Sequence, residues 1–104
     1  MLYRKMEKTG DDLSILGFGA MRFPTKMGKI DEPKATEQLY YAIDSGINYV
    51  DTALPYHAGA SETFVGKVLK NGYRDKVKLA TKLPPWVLRT REDMDTILNS
   101  QLEK

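Results

Sequence analysis

The amino-acid sequence predicts an α/β fold built on parallel strands, and three observations carry that prediction. Short apolar stretches alternate along the chain with stretches whose apolar residues recur at helical spacing. The helical stretches are long enough to act as crossovers, so the strands they join should pair in parallel. Residues that start or stop helices for known physical reasons stand at the ends of those stretches.

The first 15 residues read as a hairpin. Leu2-Tyr3-Arg4-Lys5-Met6 and Leu13-Ser14-Ile15 flank the turn-rich Lys8-Thr9-Gly10-Asp11. Residues 15–21 (ILGFGAM) form an apolar run suited to a buried strand, followed by a loop through Pro24 and Gly28. Asp31 can cap a first helix, with Pro33 in its first turn, where a missing N–H costs nothing. Ala35, Leu39, Ala42 and Ile43 lie on one helical face, and Gly46 supplies the stop. A second strand is expected at 47–53 (INYVDTA). A second helix should start with Ser61 as its cap and Glu62 near the positive helix end, and should finish at Asn71-Gly72. Phe64, Val65, Val68 and Leu69 give that helix its apolar face. A third strand covers 76–83 (KVKLATKL) and stops at Pro84-Pro85. Thr90 and Asp93 fit a capping box ahead of a third helix faced by Met94, Ile97, Leu98 and Leu102.

This helix reaches Lys104 without a Gly, Asn or Pro to end it. Three parallel strands with helices on one face would also leave the other sheet face bare. The expectation is a single partial domain over residues 1–104, the front part of a longer protein.

Composition narrows the function classes. With 16 Lys+Arg against 14 Asp+Glu, the net charge of +2 gives no support for nucleic acid as a partner. No apolar run approaches 18 residues, and the start MLYRKMEKTG lacks an apolar core, so neither a membrane span nor a secretory leader is expected. The absence of cysteine removes disulfides, thiolate metal sites and cysteine nucleophiles. No metal site is expected within the segment, and the expected location is cytoplasmic.

Parallel α/β folds carry their chemistry at the carboxyl ends of the strands. Strand two ends in Asp51-Thr52-Ala53 with Tyr56 beyond it, and strand three ends in Thr81-Lys82. A free Tyr titrates near about 10, too high for efficient proton transfer at neutral pH. A Lys ammonium beside it would stabilise the phenolate, and an Asp would hold that ammonium in place and charged. Such a Tyr suits protonation of a developing alkoxide. On side-chain types alone a plainer reading wins: Asp51 caps a loop, Tyr56 is a surface aromatic and Lys82 a solvated strand end.

The wider sequence changes that weighting, because it resembles the aldo-keto reductase family in four ordered pieces. These are LGFGAMR (16–22), AIDSGINYVDTALPY (42–56), SETFVGKVL (61–69) and VKLATK (77–82). The resemblance implies the N-terminal portion of a (β/α)8 TIM barrel, a hairpin plus about three βα units. It implies Asp51, Tyr56 and Lys82 as catalytic residues, with Tyr56 the general acid and Lys82 its tuner. It also places Gly19, Ala20, Met21 and Arg22, together with Asp51, at the cofactor, NADPH or NADH. The implied reaction is reduction of an aldehyde or ketone carbonyl in a small-molecule substrate. The fourth family residue, a His on the next strand, lies past Lys104, so the 104-residue chain alone is expected to be inactive. His57 does not take that role; it reads as a loop residue at the substrate mouth or simply solvated.

Other features read more plainly. Gly17-Phe18-Gly19 is not a dinucleotide loop, since Arg22 stands where the third glycine belongs. Glu62 is explained by the helix dipole, and Trp86 is either a pocket wall or packing. Two rivals remain. The first makes Lys82 the Schiff-base nucleophile of a lyase, which Asp51 opposes by keeping it protonated. Alternatively, the chain is a non-catalytic truncated barrel fragment that self-associates over its open sheet face.

Overall fold

The computed structural model describes residues 1–104. The N-terminal hairpin is present: β1 (Tyr3–Lys5) pairs antiparallel with β2 (Asp12–Ser14). It is fastened to the body by Asn48, whose side chain accepts from Ser14 N–H at 2.8 Å and donates to the Asp12 carbonyl at 2.7 Å.

The central sheet has three parallel strands: β3 (Phe18–Gly19), only two residues long, at one edge, then β6 (Tyr49–Asp51) in the middle and β7 (Lys78–Ala80) at the far edge. The expected buried strand over 15–21 is therefore largely absent. Ile15, Leu16 and Met21 are exposed, because the chain reaches the sheet only at Phe18 and turns away into a 3-10 segment at Ala20–Arg22. The loop after it holds a second small hairpin, β4 (Thr25–Lys26) with β5 (Lys29–Ile30). Its two turn residues, Met27 and Gly28, both have positive φ, as a two-residue hairpin turn requires.

Helix α1 (Glu32–Asp44) starts where Asp31 accepts from Lys34 N–H and buries Ala35, Leu39 and Ile43. Gly46, at φ +108°, turns the chain into β6. Helix α2 (Ser61–Leu69) corrects one expectation. Ser61 is its first helical residue and not its cap, and its hydroxyl points into the core. The reason is that two buried partners, described below, claim that oxygen. Helix α3 (Arg91–Leu102) carries the predicted capping box of Thr90 and Asp93. Its apolar face buries little: Met94, Leu98 and Leu102 are exposed.

The core lies between the sheet and α1 and α2. Leu39, Val50, Val65 and Leu69 have no solvent exposure. Tyr40 stacks on Tyr73, whereas its neighbour Tyr41 is exposed. No helix is long and apolar enough to cross a membrane.

Candidate active site

Register builds the site. Gly19 stands opposite Asp51, and Asp51 opposite Ala80, so the carboxyl ends of all three strands align. Side chains two apart along extended chain share a face, which carries Lys82 to the same side as Ala80 and diagonally onto Asp51. The ladder closes with Thr52 N–H donating to the Ala80 carbonyl at 2.9 Å.

Lys82 lies at the centre. Its ammonium donates to Asp51 Oδ2 at 2.7 Å, to the Thr52 carbonyl at 3.0 Å and to Tyr56 Oη at 3.1 Å. An ammonium has three donors, and all three are used. The Nζ atom also lies 4.9 Å from the centre of the Tyr56 ring. Partial burial pulls the ammonium down, but the hydrogen bonds it donates to Asp51 and Tyr56, with the attraction of those groups, more than offset it. The group therefore sits above the ordinary lysine range. The three predicted catalytic residues are thus brought into one cluster.

Tyr56 is held by its neighbours. It opens a 3-10 turn, Tyr56–Gly59, in which His57 and Ala58 both take positive φ, at 54° and 53°. Such residues cost of order 1 kcal/mol or more each and persist only where the surroundings enforce them. Here His57 Nε2 accepts from Phe23 N–H at 3.0 Å, and its ring rests 5.7 Å from that of Phe23. His57, read from the sequence as a loop residue, is thus partly buried and tied to the loop after β3.

The segment after β3 divides. Ala20 is fully buried and its carbonyl accepts from Ser61 Oγ at 3.3 Å, whereas Met21 and Arg22 are exposed. A Cβ placed on Gly19 would meet nothing within 4 Å, so the end of β3 beside Asp51 is open. Asp51 Oδ2 is engaged by Lys82, and Oδ1 has no protein partner. An open glycine edge, a free carboxylate oxygen and an exposed guanidinium form a donor and acceptor set that suits the ribose and phosphate groups of a nicotinamide cofactor.

Sequence reasoning missed Thr52 and Ser61. Their hydroxyls share a 2.8 Å hydrogen bond, both are buried, and Thr52 supplies the carbonyl that Lys82 grips. A hydroxyl at the strand end and another at the next helix start were the only available signal.

A cavity of about 220 Å³ adjoins the cluster, lined by Tyr56, Lys82, Leu83, Pro84 and Trp86 among others. A larger hollow of about 590 Å³ lies between the β4–β5 hairpin and α2, and none of Asp51, Tyr56 or Lys82 lines it. Of the two, only the smaller one is lined by members of the Asp51–Tyr56–Lys82 cluster.

Comparison with known proteins bears on the chain as a whole. The aldo/keto reductase family profile matches residues 15–104. The chain is 42% identical over 84 residues to aldo-keto reductase YhdN of Bacillus subtilis, covering 79% of this chain and 25% of that protein. Among solved structures, an aldo-keto reductase from Bacillus halodurans in its holo form aligns with a TM-score of 0.66 at 41% identity, over 80% of this chain and 26% of that one. One from Klebsiella pneumoniae, in complex with NADP and acetate, aligns at 0.70 and 27% identity, over 92% of this chain and 34% of that one. The chain therefore spans about a quarter to a third of the length of these relatives. Such relatives are (β/α)8 barrels, and the present fold is the N-terminal portion of one.

Proposed function

The chain belongs to the aldo/keto reductase family, and on that premise we propose that it carries the catalytic cluster of an NAD(P)H-dependent oxidoreductase reducing aldehydes and ketones to alcohols. The observation that carries the reading is Lys82 donating to Asp51 and Tyr56 together, at 2.7 and 3.1 Å. Because Lys82 donates to Tyr56 Oη, the phenol's own proton is free to be given to a carbonyl oxygen. The ammonium then stabilises the phenolate that remains, and Asp51 keeps the ammonium charged and in place.

NADPH or NADH, when bound, supplies the hydride for the carbonyl carbon. The residues proposed to hold it are Asp51 and the Gly19–Arg22 segment, Ala20 setting the turn while Gly19 leaves space. NADPH is preferred because a 27% identical relative was solved with NADP. Trp86 and Pro84 are proposed to form part of the wall for a small carbonyl substrate. The reading includes a cytoplasmic location.

The Schiff-base alternative is disfavoured by the same geometry. A lysine whose three N–H donors are engaged, and whose ammonium is stabilised, is a poor nucleophile. A second reading concerns these 104 residues by themselves: inactive, and self-associating through uncovered apolar surface. The exposed Met94, Leu98 and Leu102 of α3 favour it.

The test runs two separate reactions on the full-length gene product: an aldehyde with NADPH and no borohydride, and the same aldehyde with cyanoborohydride in place of NADPH to trap any imine. NADPH should be consumed in step with alcohol formed, and Lys82 should remain unmodified. A trapped adduct on Lys82 without NADPH oxidation would make the protein a lyase.

A further inference from the structure

Glu62 is the one charged residue in the buried set, with its side chain only 4% exposed. Burying a carboxylate is costly unless it is paired and hydrogen-bonded, so a position near a helix N-terminus does not by itself account for it. Three donors surround it. Oε2 accepts from Thr81 Oγ1 at 2.5 Å and from Gln101 Nε2 at 2.8 Å, and Oε1 accepts from Lys104 Nζ at 3.0 Å. All the partners donate, which is what an ionised carboxylate requires.

Two of these partners lead to Lys82. Thr81 is its chain neighbour, and the Gln101 amide also donates to the Lys82 carbonyl at 3.0 Å. The location matters because the sheet register ends at the pair Asp51 and Ala80. Residues 81 and 82 lie beyond the ladder, where the sheet no longer fixes the backbone. Glu62 anchors that free stretch to the first turn of α2, and Gln101 ties it to α3.

We infer that Glu62 is a positioning residue for Lys82, acting through Thr81 and Gln101. It touches no reacting atom. It sets where the Lys82 backbone leaves the sheet, and so whether Nζ reaches Asp51, Thr52 and Tyr56 at once. Placement of this kind matters in catalysis because a shift of about 1 Å can cost on the order of 10²-fold in rate. The inference deepens the reductase reading and rests on its assignment of Lys82.

Competitive acetylation of the 104-residue chain with acetic anhydride across alkaline pH tests the link. Lys34 and Lys70, both exposed, serve as internal references. In the parent chain Lys82 should label more slowly than these two and titrate above the ordinary lysine range, since its ammonium is held high. In Glu62→Gln with a parent-like circular dichroism spectrum, its labelling rate relative to the references should rise several-fold and its titration midpoint should fall toward the ordinary lysine range. An unchanged rate and midpoint would overturn the proposal. Should Glu62→Gln fail to fold, Thr81→Val decides by the same two readouts, because it removes one hydroxyl from an otherwise exposed residue and no buried charge. Acetylation needs no turnover. A negative result therefore removes Glu62 from the account and leaves the reductase reading untouched, whereas shifted labelling in a full-length protein that never oxidises NADPH does the reverse.

Discussion

At Lys82 three hydrogen bonds converge on a side chain that is 50% exposed. Burial lowers its affinity for the proton, yet Asp51 and Tyr56 raise it further, and the folded chain holds the ammonium above the ordinary 10.5. A group whose folded value is raised contributes stability that is complete below its unfolded value and is lost as pH rises through the folded one. Lys82→Met should therefore be less stable than the parent below pH 10.5, with the difference shrinking above it. Solvent screening keeps that difference on the scale of an exposed pair, about 0.2–1 kcal/mol. Denaturant titrations of both chains at neutral and strongly alkaline pH check this, and a difference independent of pH would contradict it. Strand periodicity puts Asp51 and Lys82 at neighbouring strand ends, and the resemblance to the reductase family is what marks them, with Tyr56, as more than ordinary strand-end and loop groups. The partners of His57 and Ser61 are not legible, since Phe23 and Ala20 lie 34 and 41 positions away. Which hydroxyl or ring nitrogen meets a distant backbone group depends on the packed fold, not on local pattern.

Among the elements, the turn from α1 into β6 is the most tightly constrained. Gly46 combines φ +108° with a crowded setting, where an added Cβ would lie 2.8 Å from Tyr3 Oη and 2.9 Å from Met1 Cβ. Its carbonyl also accepts from Tyr3 Oη at 2.8 Å, so the N-terminal hairpin is keyed to this turn. Gly72 has a similar backbone, φ +87°, but open space around it. Gly46→Ala should cost more than about 1 kcal/mol, lowering the melting midpoint by about 4–8 °C per kcal/mol in a domain of this size. Gly72→Ala should cost clearly less, and equal losses in thermal melts would show that the contact with the hairpin does not matter. Helix starts at Asp31 and Thr90 are legible because a capping side chain acts within three residues. Ser61 misleads for the opposite reason: α2 begins one residue earlier than its composition suggests, freeing the hydroxyl for Thr52. The β4–β5 hairpin escapes detection because Met27 gives no hint that it will take φ 54°.

Taken whole, the molecule is a slab of 42 × 42 × 21 Å with a radius of gyration of 14.6 Å. A compact domain of about 100 residues has a radius near 13 Å, and only 18 of 104 residues here are buried. Helices cover the sheet incompletely, and Met94, Leu98 and Leu102 face solvent from α3. Exposed apolar area of this kind favours association. Light scattering on the purified 104-residue chain should give a mass above 11.8 kDa; a well-folded monomer would contradict this. The same flatness places the candidate cluster at an open edge, with Asp51 and Lys82 side chains 37% and 50% exposed. Turnover is therefore a property to be measured in the full-length gene product, and Tyr56→Phe is the most direct probe. Phenylalanine keeps the ring and removes only the proton donor. The account predicts that kcat for NADPH-dependent aldehyde reduction falls by about 10²–10⁴ with NADPH binding retained. A variant that turns over at the parent rate would contradict the assignment of Tyr56 as the acid.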